Sequence, residues 1–127
     1  MTKWQRMSEA EKQIMDIIWA TGRPVTTSEI IHRLPEGKAW KQNTVITFLA
    51  RLMDKDMITA TRIGKANHYE PRITEQGYQN LETKQFIKEV HRGSASGLIS
   101  ALCDSGDLTK ADIEQLMQKL KAQAEER

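Results

Sequence analysis

The stretch Lys41-Gln-Asn-Thr-Val-Ile-Thr-Phe-Leu-Ala-Arg-Leu-Met-Asp-Lys55 decides how this chain is read. Wound as an α-helix with residues about 100° apart, it places Val45, Ile46, Phe48, Leu49, Leu52 and Met53 on one side. Asn43, Thr44, Thr47, Ala50, Arg51 and Asp54 collect on the other. The apolar arc predicts docking on a core. The outward arc differs from an ordinary Glu/Lys solvated face: it holds short hydroxyls and amides with one long cation, and Lys41 stands at its entrance.

Upstream, Ser8 followed by Glu11 forms a capping box. Ala10, Ile14, Ile17 and Ile18 then recur at helical spacing until Gly22 and Pro24 stop the pattern, which predicts a helix over 9–20. Thr26 with Glu29 repeats the signature, and Ile30, Ile31 and Leu34 give a short second helix ended by Pro35 and Gly37. Arg23-Pro24-Val25 between them is long enough only for a turn or a two-residue strand. Downstream, Asp56 breaks the central helix and the period changes to two. Ile58–Ile63 and His68–Ile73 are β-rich runs flanking Gly64-Lys65-Ala66-Asn67, a hairpin with a basic tip. Pro71 cannot donate to a ladder, so its strand is an edge or ends there.

Three helices followed by a hairpin is the element order of a winged helix-turn-helix. In that arrangement the third helix enters the major groove of B-DNA, where each base pair shows its own donor and acceptor pattern. Asn43, Thr44, Thr47 and Arg51 supply short polar groups and a bidentate-capable cation for such reading. Lys41 and Gln42 stand where the positive end of the helix dipole faces a phosphate. Arg62 and Lys65 of the wing are placed for backbone or minor-groove contacts, which position a protein on the duplex without specifying sequence. The charge is divided accordingly: residues 1–73 hold 12 Lys/Arg and 8 Asp/Glu, residues 74–127 hold 7 and 9. The front is thus weakly basic and the back acidic.

The back half returns to helix. Thr74 can cap a segment to about Arg92 carrying Tyr78, Leu81, Phe86, Ile87 and Val90. Gly93 and Gly97 bracket a break before a short helix with Leu98, Ile99, Leu102 and Cys103. Thr109 and Asp112 open a last helix whose Ile113, Leu116, Met117 and Leu120 form an i, i+3, i+4, i+7 stripe. Fifty-odd residues with thin apolar stripes are marginal as an independent core, roughly the lower size limit for folding alone. Burial against a second copy is therefore expected, with Phe86, Ile87, Val90, Leu98, Ile99, Leu102, Ile113, Leu116, Met117 and Leu120 as the dimerisation residues. The domain division is a winged-helix DNA-binding domain at 1–73 and a helical dimerisation domain at 74–127, in a mainly α fold. A two-fold dimer presents its reading helices to half-sites about 34 Å apart.

The chain has 127 residues with one cysteine, three prolines and seven glycines, which argues against disulfide-rich, collagen-like and turn-rich all-β classes. The start lacks an export-type apolar core and no stretch reaches the ~18 apolar residues of a membrane span, so a cytoplasmic, membrane-free protein is expected. Trp19 and Trp40 read as core, and Cys103, in register with Leu98, Ile99 and Leu102, as a buried small hydrophobe. His32, His68 and His91 fall in three elements without ligand spacing, so no metal and no cofactor are expected. No nucleophile elbow, phosphate loop or acid pair is present, and Glu9, Glu11 and Asp16 lack a motif partner; an enzyme is not expected. The alternative to DNA binding is a winged helix that binds another protein, whose face would carry aromatics or Met instead of Lys41, Arg51, Arg62 and Lys65.

The run Trp40-Lys-Gln-Asn-Thr44-Val-Ile-Thr47-Phe-Leu49-Ala-Arg51-Leu52 resembles the W-x-x-x-T-[VI]-x-T-x-L-x-R-L pattern of the BlaI/MecI penicillinase repressor family. Ser8-Glu-Ala-Glu11 through Trp19 resembles that family's first helix, His68-Tyr-Glu-Pro71 its second wing strand, and Leu108–Ile113 its back half more loosely. Asp56 replaces the family's usual Gly after the third helix. The resemblance implies a dimeric repressor of operator DNA, released by a signal that often ends in cleavage by a membrane sensor protease. The segment matching the cleaved one contains Ser100, Ala101 and Leu102, with Ala101-Leu102 where an Asn-Phe pair is typical. The tail KAQAEER lacks the paired cysteines of copper-responsive relatives.

Overall fold

Reciprocal caps set the helix starts. Ser8 and Glu11, Thr26 and Glu29, and Thr109 and Asp112 each exchange side-chain bonds with the other's backbone N–H, satisfying donors the first helical turn leaves unpaired. They open α1 (Glu9–Thr21), α2 (Thr27–His32) and α6 (Lys110–Glu125). Between α2 and α6 lie α3 (Gln42–Asp54), β1 (Ile58–Ile63), β2 (Ala66–Pro71), α4 (Glu75–Val90) and α5 (Ala95–Ser105). The computed structural model describes residues 5–37 and 39–126.

The chain divides into two compact units, Met1–Glu82 and Thr83–Arg127. The first is a winged helix: α1, α2 and α3 enclose Ile14, Met15, Ile18, Val25, Ile30, Val45, Leu49 and Leu52, all without solvent exposure. Each such aliphatic side chain contributes about 1.5–3 kcal/mol on burial. The antiparallel wing pairs Ile58 with Pro71 and Ile63 with Ala66, and buries little beyond Ile58 and Tyr69 at its base. Val25 joins Tyr69 as an isolated antiparallel bridge, with N–H···O distances of 3.1 and 2.8 Å. It is the short strand that the Arg23–Val25 connection allowed.

The first half of α4 packs into this unit too. The buried Tyr78 hydroxyl accepts the Met7 N–H at 2.9 Å, and its ring lies 6.2 Å from that of Trp19, whose Nε1 donates to the Ile73 carbonyl at 2.8 Å. Burial holds the Tyr78 hydroxyl above its ordinary pKa. Asp56 turns the chain from α3 into the wing with φ of 59°, a left-handed conformation that Asp tolerates better than most residues.

The second unit consists of the end of α4, α5 and α6. Neither α5 nor α6 has a buried residue. Leu98, Leu102 and Leu116 are half-buried, while Phe86, Val90, Ile99, Ile113, Met117 and Leu120 are exposed, the last two by 65% and 62%.

Three expectations need correction. The hairpin tip is two residues, Gly64-Lys65, because Ala66 and Asn67 pair with Ile63 and Arg62 inside β2. Cys103 is exposed: Leu98 and Leu102 form the inward row of α5, and Cys103 follows Ile99 on the next row out. Ile46 is 42% exposed, because the buried stripe of α3 runs Val45, Leu49, Leu52 and ends short of it.

Candidate nucleic-acid interface

With Val45, Leu49 and Leu52 fully buried, the rotation of α3 about its axis is fixed, and the side it leaves to solvent follows. Gln42, Asn43, Thr47, Ala50 and Arg51 are exposed and Thr44 is half-buried. The eight residues singled out from the sequence fall into two groups. Lys41, Gln42, Asn43, Thr44, Thr47 and Arg51 share α3 and its entrance. Arg62 and Lys65 lie at the outer end of the wing, both exposed, with Arg62 Nη2 donating to the Lys65 carbonyl at 3.4 Å.

The entrance to α3 differs chemically from the capped helices. Its N-cap is Lys41, which makes no side-chain capping bond, and the first turn has no acidic residue. The α1, α2 and α6 starts each hold a carboxylate against their own N–H groups. An open helix start beside an exposed ammonium favours an anion such as a phosphate.

Two features further along prepare side chains for contact. The Arg51 guanidinium carbon lies 5.8 Å from the Phe48 ring centroid, and that ring lies 5.2 Å from Trp40. Phe48 and Trp40 themselves pack against the core. A cation held over an aromatic face loses less rotamer freedom on binding than a free arginine, which costs up to about 2 kcal/mol to immobilise. The Thr47 hydroxyl donates to the Asn43 carbonyl at 2.9 Å. Its single proton is thereby engaged and its oxygen is left as an acceptor, suited to the amino group of adenine or cytosine in the major groove.

The penicillinase repressor family model matches residues 7–122, nearly the whole chain. The chain belongs to the penicillinase repressor family. It is 27% identical over 120 residues to the penicillinase repressor of Bacillus licheniformis, covering 94% of this chain and 93% of that one. It is 28% identical over 114 residues to the methicillin resistance regulatory protein MecI of Staphylococcus aureus (strain N315), covering 90% and 92%. The solution structure of the DNA binding domain of the repressor BlaI superposes with a TM-score of 0.53 at 32% identity, over 61% of this chain and 94% of that one. The family is one of transcriptional repressors, which are not enzymes.

Sequence reasoning missed the group that anchors this penicillinase repressor relative's third helix. Lys55, the C-cap of α3, reaches Glu11 Oε1 at 2.6 Å and the Arg6 carbonyl at 2.8 Å. Glu11 is buried. Burial pushes its carboxyl pKa up, but the Lys55 ammonium and the Ser8 bonds outweigh that and hold it below its ordinary value. The two residues are 44 positions apart, and Glu11 already had an explanation in the capping box, so no local signal pairs them. From the sequence Phe48 and Trp40 read as core residues; the signal for their support of Arg51 is the i, i+3 spacing of Phe48 and Arg51.

Proposed function

We propose that this chain is a sequence-specific DNA-binding repressor that acts as a homodimer on a palindromic operator, through a winged domain, to which the start of α4 belongs, and a helical dimerisation region beyond it. The carrying observation is the uncovered side of α3, where Asn43, Thr47 and Arg51 stand exposed behind an open, lysine-flanked helix start. Its likeness to the DNA binding domain of BlaI supports the reading. In this account Thr44, Thr47, Asn43 and Arg51 contact base edges, while Lys41, Gln42, Arg62 and Lys65 hold phosphates. Repression follows by occlusion, the dimer covering a promoter so that RNA polymerase cannot bind.

The second copy is supported by the exposed stripe Ile113, Met117 and Leu120 with half-buried Leu116, since burying that stripe removes apolar area that one chain leaves in water. Among the described residues no helix is long and apolar enough to cross a membrane. Ser100, Ala101 and Leu102 lie within α5; a sensor protease acting there would require local opening of that helix, because its active-site cleft needs extended backbone.

The test is selection from random duplexes by the full chain, followed by Arg51→Ala. The wild type should enrich one palindromic sequence. The variant should bind it more weakly by about 1–3 kcal/mol and relax preference at one base pair per half-site. Unchanged selection by the variant would remove Arg51 from the groove.

A further inference from the structure

Ile46 stands 42% exposed in the N-terminal half of α3, the part of a reading helix that lies deepest against base edges. Residues three and four apart are neighbours on a helix, so Asn43, Ile46 and Ala50 line one flank of the uncovered side. Thr44, Thr47 and Arg51 line the other. Asn43 and Ala50 are themselves exposed. Ile46 therefore leaves apolar surface in water where the polar face meets the apolar arc.

The major groove offers hydrogen-bonding groups at every base pair but one apolar group, the C5 methyl of thymine. We propose that Ile46, with Ala50 beside it, reads a thymine methyl, so that each operator half-site carries a thymine beneath this flank. The inference rests on the DNA-binding reading above and adds a specificity determinant to it. A polar base edge set against Ile46 would lose its water without gaining a partner, so the same contact rejects other bases as well as favouring thymine.

The experiment uses the full chain and the duplex it selects. Each thymine of a half-site is replaced in turn by deoxyuridine, which removes the methyl alone, and affinity is measured for wild type and Ile46→Ala. One position per half-site should weaken wild-type binding about three- to fivefold, the worth of a buried methyl. Ile46→Ala should weaken binding to the thymine duplex by a similar factor and should not distinguish thymine from uracil there. The inference is overturned if wild type is indifferent to every methyl, or if its methyl dependence survives intact in Ile46→Ala. A chain that selects no duplex at all sinks the parent reading and this one together. Because Ile46 is 42% exposed, its truncation should cost far less than the roughly 2–5 kcal/mol of a buried Ile→Ala change, and a loss of that full size would show that the residue serves packing and overturn the assignment.

Discussion

Replacing Lys55 with Met removes the ammonium that ties the end of α3 to the start of α1 while keeping an unbranched stem of similar length. In the wild type Lys55 Nζ lies 2.6 Å from Glu11 Oε1, with side-chain exposures of 17% and 3%. The variant leaves the Glu11 carboxylate buried, still accepting the Ser8 N–H but without the ammonium. Removing one partner of a fully buried pair costs about 3–5 kcal/mol. Lys55 retains some water, so the low end applies, about 3 kcal/mol at pH 7, a large share of the roughly 5–15 kcal/mol that holds a domain folded. The pH dependence identifies the cause. In the wild type the folded Glu11 carboxyl lies below its ordinary value of 4.5, so its contribution is complete above that value and is lost as pH falls through the lowered one. In Lys55→Met burial acts without the ammonium, raising the folded carboxyl, and protonation then relieves the penalty. Urea unfolding followed by far-ultraviolet circular dichroism at one protein concentration should give the full difference at pH 7 and a clearly smaller one at pH 4. A penalty below about 1 kcal/mol at pH 7, the level of an exposed pair, or one that is equal at both pH values, would refute the reasoning.

Three other substitutions probe separate parts of the account. Lys65→Ala should weaken binding to all duplexes alike and reduce the slope of log affinity against log salt by about one; a change in sequence preference on selection would contradict a phosphate role. Leu116→Asp should place a charge in the stripe of α6 and yield monomers in sedimentation velocity, whereas a persisting dimer would take α6 out of the interface. Asp56→Gly should raise the thermal midpoint, since φ of 59° is left-handed backbone that costs an L residue up to about 1–2 kcal/mol and glycine nothing. The Arg72 pair lost with it is 3.5 Å long between exposed side chains and contributes little; a lower midpoint would show otherwise.

Local chemistry made much of the fold legible. The Ser8–Glu11 and Thr26–Glu29 caps, the periodic stripe of α3 and the change to period two after Asp56 are all signals carried within a few residues. They gave α1, α2, α3 and the wing to within two or three positions. What depends on neighbours distant in sequence was not legible. Val25 becomes a strand only because Tyr69 pairs with it, and Tyr78 joins the first unit only because Met7 and Trp19 meet it. Ile46 lies at the edge of the apolar arc, and the reach of the core around α3 decides which side of that edge it falls on. The periodicity of α3 alone does not carry that information. Cys103 was misread for a related reason: α5 has two adjacent apolar rows, and periodicity does not say which one faces inward. At the candidate interface the residue types and their shared face were readable, but the support of Arg51 by Phe48 and Trp40 was not read.

The central claim, that the uncovered side of α3 lies against base edges, is tested most directly by a crystal structure of the full chain on its selected duplex. The account predicts α3 in the major groove, with Asn43, Thr47 and Arg51 within hydrogen-bond distance of bases and Lys65 near a phosphate. A complex in which these three side chains face solvent or another protein, with α3 outside the groove, would contradict it.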